Sequence, residues 1–282
     1  MRSSLSFPRA LKLRSAVLVG VLGMVAAVHA ARAGEADVPA TPPQQGSGED
    51  LWPSLKSDIA AYFTAPLRWD GRDWAWFAGA IAATGAAHHY DANVRTHFIK
   101  TEGPTVGQDS HDAQDAAPTA AVFLGTWLYA GIIDSSAGRH EVWDMAEAAA
   151  LSGVTAYALK YAGGREDPYQ SSDPNAWREG GRSFPSFHST AAFAVGTVLA
   201  ESGNEDYRWV RRVLGYGLCV ATSYERLRHN AHWLSDTVAG AALGIASAHF
   251  VLNRDQDSSG AGHLAVVPVS GGALLTYSRS MN

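Results

Sequence analysis

The strongest constraint on the fold is a series of uncharged apolar runs, long enough for core helices and short for a bilayer. They cover residues 75–87, 119–133, 190–200, 213–224 and 237–252, and the longest has 16 residues. A transmembrane helix usually needs about 20 such residues, whereas runs of roughly 10–14 fit buried core helices. Strand-like alternation is nearly absent before residue 260. The chain therefore reads as an all-α bundle of about six helices. They are expected over 73–89, 118–133, 141–161, 186–201, 207–224 and 233–252. Pro118 is expected in a first helical turn, where its missing N–H is no loss. A mean hydropathy of −0.10 favours a soluble or peripherally attached bundle over an integral one.

The flanks differ from this middle. Arg2, Arg9, Lys12 and Arg14 precede an uncharged, mainly apolar run at 15–28, and Ala31-Arg32-Ala33 offers a cleavage site. This is the layout of a secretory signal peptide over residues 1–33, favoured over an uncleaved anchor because the apolar run is short. Residues 34–50, rich in Pro, Gly, Gln and acids, read as a disordered linker. An aromatic segment at 51–69 carries Leu51, Trp52, Leu55, Ile59, Tyr62 and Phe63 at helical spacing. It packs on the domain or lies on a membrane surface, the first being favoured. The helical domain is expected over 51–255, followed by a tail over 256–282. There, apolar residues at 264–269 and 273–277 flank Ser270-Gly271-Gly272, which reads as a short β-hairpin.

Charge narrows the partners. The leader holds five Lys/Arg and no acid, so its removal takes the net charge from −5 to −10. A domain that acidic is a poor ligand for nucleic acid. The single cysteine, Cys219, lies in an apolar stretch, reads as a small buried hydrophobe and excludes an internal disulfide. Oligomeric state has no signature in the chain.

Three short segments carry chemistry. His232 and Asp236 are four apart at the start of the last helix, so they share a face. Asp236 is expected to accept from one ring nitrogen of His232, fixing its tautomer and leaving the other as a nucleophile or base. The pair alone is also compatible with a structural role. Arg226, six residues earlier, is suited to bidentate anion contacts. Ser186, Phe187 and His188 open another helix, whose N–H groups favour phosphate; Ser186 adds a hydroxyl and His188 an acid. Lys160 and Arg165 flank the Gly163-Gly164 break and offer two cations to phosphoryl oxygens. Lys160 at a helix C-terminus also suits the dipole without any ligand. His229 and His232, three apart, could bind a metal, but no further Cys or carboxylate cluster supports one, so neither metal nor cofactor is expected. The polar loops at 97–117 and 163–182 stand out, the second joining two of the segments.

The order and spacing of these segments resemble the phosphatidic acid phosphatase type 2 superfamily, related to haloperoxidases. Its pattern is Lys-x6-Arg-Pro, then Pro-Ser-Gly-His, then Ser-Arg-x5-His-x3-Asp, and the likeness spans roughly residues 70–252. The resemblance implies a metal-independent phosphatase acting through a phosphohistidine. His232 is then the nucleophile, Asp236 orients it, and His188 protonates the leaving group. Lys160, Ser186, Arg226 and the Phe187 N–H hold the phosphoryl oxygens. Three positions depart from the pattern. Asp167 stands where the family has Arg; it is expected to turn away, with Arg165 supplying the charge. Phe187 replaces Gly and is expected to narrow the pocket. Glu225 replaces Ser and is expected to pair with a neighbouring Arg.

The expectation is thus an exported phosphomonoesterase or diphosphate phosphatase in the periplasm or on the periplasmic side of a membrane. The aromatic segment 51–69 favours a lipid phosphate. The alternatives are a vanadium-dependent haloperoxidase, which the Asp at 167 disfavours, and a non-catalytic phosphate binder, which the retained His188, His232 and Asp236 disfavour.

Overall fold

The computed structural model describes residues 51–102, 112–133, 136–203, 207–260, 263–269 and 272–278. The expected leader and linker, residues 1–50, lie outside the described residues. Among the described residues seven α-helices follow one another: α1 (Leu51–Thr64), α2 (Gly71–Glu102), α3 (Asp112–Ile133), α4 (Ser136–Gly163), α5 (Phe187–Glu201), α6 (Arg208–Arg228) and α7 (Leu234–Gly260). The strands β1 (His263–Val269) and β2 (Gly272–Ser278) then pair antiparallel. The fold is all-α, as the apolar runs require.

Several helix boundaries differ from the sequence reading, and α7 runs to Gly260 rather than 252. α2 continues well past residue 89, because the polar stretch that ends it contains no Pro or Gly before Gly103. Pro118 lies inside α3 rather than in its first turn. Residues 112–117 contain two Asp, three Ala and a Gln, and they extend the helix backwards from the proline.

α5 is the hub, packed against α4, α6 and α7 and touching α3. Ser186 caps it with an extended backbone, and its hydroxyl accepts the Ser189 N–H. The helix is buried on nearly every side because small residues let its neighbours close in. A Cβ at Gly240 of α7 would stand 2.6 Å from the Ser186 carbonyl, so only glycine allows α7 to reach the start of α5. Large apolar side chains fill the space between crossings. Phe193, Tyr216, Cys219 and Ile245 form one cluster, and Met145, Leu151, Val195, Val198 and Val251 another. Full burial of each such side chain contributes about 1.5–3 kcal/mol. Cys219 is buried as expected, donates to the Ala192 carbonyl at 3.0 Å, and has its thiol pKa pushed up by burial.

α1 is tied to α7 by Tyr62, which hydrogen-bonds Ser247 at 2.7 Å and meets Phe250 edge-on. Its other face exposes Ile59 and Phe63. The outer faces of α3 and α6 also expose Trp127, Leu128, Ile132, Trp209 and Val213. Only α7, over Leu234–Arg254, is long and apolar enough to cross a membrane among the described residues, and most of that stretch is buried inside the bundle.

Candidate active site

Two helix starts and two helix ends meet at one place. α5 and α7 begin there, joined by the Ser186 N–H donating to the Asp236 carbonyl at 3.0 Å. α4 ends there with Lys160, and α6 ends there with Arg226. Lys160, Arg226, Ser186, His232 and Asp236 are all buried, and residues spread over a 77-residue stretch of chain act on one another there. Lys160 Nζ is oriented by the Arg182 and Ser183 carbonyls.

Asp236 is fixed from several sides. Its Oδ2 accepts the Trp233 N–H at 2.9 Å, the return half of a capping box at the start of α7. The Ser183 hydroxyl donates to the same oxygen. Its Oδ1 accepts from Arg165 Nη1 at 2.6 Å. Burial raises its pKa, while Arg165, Ser183 and Trp233 oppose the rise.

The link from Asp236 to His232 is indirect, contrary to the expected direct bond. His232 Nδ1 lies 3.7 Å from Asp236 Oδ2, beyond hydrogen-bond range. Ser183 stands between them: its Oγ is 3.5 Å from Nδ1, and its carbonyl is an acceptor for the ring. Burial pushes the His232 pKa well below 6.5, and Lys160, Arg226 and His188 push it further. These surroundings favour the neutral imidazole.

Residues 141–259 match the profile of the PAP2 superfamily. The match spans 119 of the 282 residues. A 96-residue stretch is also 36% identical to the lipid A 1-phosphatase of Porphyromonas gingivalis. The aligned stretch is 34% of this chain, and the chain spans only a fifth of that relative's length. No solved structure matches the chain significantly.

Against the PAP2 pattern, the departures take definite places. Arg165 does not line the pocket as an anion ligand. It is fully buried behind Asp236, and each of its nitrogens has a protein acceptor. Nη1 donates to Asp236 and Ser235, Nη2 to Asp91 and the Pro174 carbonyl, and Nε to Pro174. Trp177 and Trp233 flank the guanidinium at 4.7 and 5.3 Å. Its position follows from the sequence: Gly164, at φ +54, reverses the chain after α4, and backbone bonds then pair 163–166 with 176–183.

Asp167 does not turn away. It is 2% exposed, and its Oδ1 has no hydrogen-bond partner among the described residues. Lys160, Asp236, Ser183 and Arg226 all act on it. Burial pushes its pKa up to about 6, against the pull of Lys160 and with the push of Asp236.

Phe187 is seated against α4. Its ring is 44% exposed and lies over Gly153 of α4, where a Cβ would approach it to 3.4 Å. Glu225 pairs with Arg228 at 3.2 Å, as expected, and with His229 at 3.5 Å. His229 is thereby drawn toward Glu225, and no group of three or more His, Cys, Asp or Glu among the described residues is placed to hold a metal.

Asp91 was missed by the sequence reading. It is fully buried in α2, accepts Arg165 at 2.7 Å, and receives the Ser235 N–H and hydroxyl at the start of α7. His88 stands 2.9 Å from it. The signal was present: Asp91 is the only acid between Asp73 and Glu102, and it follows an apolar run.

Proposed function

We propose that residues 51–255 form a metal-independent phosphatase that transfers the phosphoryl group of its substrate to His232. The carrying observation is a buried His232 beside Lys160, Arg226 and His188, surroundings that favour its neutral form. The free ring nitrogen attacks phosphorus; the P–N bond forms as the ester P–O bond breaks. His188 gives a proton to the leaving oxygen. Water then cleaves the P–N bond, its proton passing to His188, and phosphate departs. Lys160, Arg226, the Ser186 hydroxyl and the Phe187 N–H bind the phosphoryl oxygens, where charge grows during transfer. Arg165 acts through Asp236 rather than on the phosphate.

A lipid phosphate is the favoured substrate. Val154, Tyr157 and Tyr161 lie along one exposed face of α4, and Phe187 continues it toward His188. The two tyrosine rings touch at 4.8 Å, and Arg182 covers Tyr161. An apolar stripe leading to a phosphate site fits an acyl chain better than a small polar alcohol. The likeness to a lipid A 1-phosphatase agrees with this. The exposed Trp127, Trp209 and their neighbours fit attachment to a membrane surface, and the leader-like N-terminus fits export to the periplasm.

The test is phosphate release from a panel of lipid and soluble phosphates in chelator, with His232→Ala as control. Faster release from lipid phosphates, abolished in the variant, is expected. Unchanged activity in His232→Ala would sink the proposal. A halide-oxidation assay with added vanadate is expected to stay silent.

A further inference from the structure

The Asp167 carboxyl is the one side-chain feature of the pocket that the phosphatase reading leaves unused. It sits where an anion is to bind, which is the wrong place for a second negative charge. It is 2% exposed, with Oδ1 lacking a hydrogen-bond partner among the described residues. From α4 it faces Lys160, from α6 Arg226, from α7 Asp236, and from the connecting loop Ser183. His232, and beside it His188, share the same two cations. Counting the buried support behind them, Lys160, Arg165 and Arg226 stand against Asp91, Asp167 and Asp236. Three permanent cations meet three carboxylates, so apart from the proton His188 carries the cluster has no net positive charge to offer a dianion while all are ionised.

Nor can Asp167 swing clear. Its carbonyl accepts the N–H groups of Gln170 and Ser171, closing a turn. The next residue is Pro168, whose carbonyl is held by Arg95 at 2.7 Å. A fixed, buried carboxylate beside an arriving dianion has one inexpensive response, which is to take a proton.

We propose that Asp167 binds the phosphoryl group as a neutral carboxylic acid, so that the pocket takes up one proton with each tetrahedral dianion. Its O–H then donates to a phosphoryl oxygen, filling the place of the family's arginine with a donor but no charge. The proton comes from solvent on binding and returns to it with product release. The unpartnered oxygen is what makes this geometry available. That the natural anion is a phosphate ester rests on the phosphatase reading; proton-coupled anion binding does not.

Sulfate is the probe, because it is a tetrahedral dianion that does not titrate near neutral pH and is not hydrolysed. Calorimetry of the full-length protein in buffers of different ionisation heat counts protons taken up. At pH 7.5 the wild type is expected to take up close to one proton more than Asp167→Asn. Between pH 6 and 8, wild-type affinity is expected to fall roughly 50-fold more than that of the variant, as a required proton with a pKa near 6 becomes scarce. Equal proton uptake in the two proteins overturns the proposal, as does an absence of sulfate binding at every pH. Wild-type affinity that is flat from pH 6 to 8 overturns it without any variant. Proton-coupled sulfate binding in a chain that releases no phosphate from any ester would instead sink the phosphatase reading and leave this one standing.

Discussion

Asp236 at the start of α7 and Asp167 in the loop after α4 are buried carboxylates at one pocket, held in opposite ways. Asp236 accepts from a guanidinium, a hydroxyl and a backbone N–H. Asp167 has an oxygen with no partner. Behind Asp236 the charges continue in pairs through Arg165 to Asp91, and Asp91 itself holds the first turn of α7. The saturated side is a frame that fixes His232 by way of Ser183. The unsaturated side is where a ligand has something left to satisfy. A buried polar group in a folded protein is thus informative by what it lacks as much as by what it binds.

The comparison can be broken most directly at the residue between the two sides. His232→Ala is expected to lower phosphate release by at least ~10⁴-fold, since a nucleophile acts as a unit with its neighbours. Its fold should persist, measured by unchanged helical circular dichroism. Residual activity within tenfold of wild type would remove the chemical meaning of both sides.

Next in size is the frame. Arg165→Ala leaves Asp91 and Asp236 buried without their shared cation, which costs about 3–5 kcal/mol in urea unfolding. If the variant kept its stability and only raised KM, Arg165 would be a phosphate ligand after all. That ligand role was the reading from sequence, and its failure is instructive. The helical bundle was legible because apolar runs and breakers are local. The third motif was legible because His232 and Asp236 lie within one helical turn. What could not be read was which cations point at the ligand and which are spent on other protein groups. Arg165 is occupied by Asp91, 74 residues away in sequence, and no local spacing records that pairing. The same holds for Ser183, which lies beside both His232 and Asp236 although 49 and 53 positions separate it from them in sequence. Phe187 was read as an obstruction since Gly is the family residue there, yet Gly153 on another helix receives its ring.

Asp167 tests the other side through pH. Its pKa is raised from 3.8 to about 6, so the native state holds this proton more tightly than the unfolded chain. Stability from this group is therefore greatest at low pH and is lost as pH rises between about 4 and 6. Above that window the ionised carboxylate costs the fold about 3 kcal/mol. Asp167→Asn is expected to unfold at higher urea than wild type at pH 8, with the difference shrinking toward pH 4. A variant less stable than wild type at pH 8 would mean that the carboxylate is well satisfied and that the two sides do not differ.

The smallest expected effect concerns the approach to the pocket rather than its charges. Phe187 lies between the exposed face of α4 and His188, with its backbone N–H in the first turn of α5 and its ring on Gly153. Truncation to Ala keeps the N–H and removes only the apolar ring. Half-exposed as it is, that ring contributes about 1 kcal/mol to a chain lying along it, or roughly fivefold in KM. Phe187→Ala should show that increase for a long-chain lipid phosphate and none for a small aryl phosphate, with kcat unchanged for both. A fall in kcat for the small substrate would place Phe187 among the groups that set His188, and the saturated frame would then extend to the side of the pocket that the comparison leaves open.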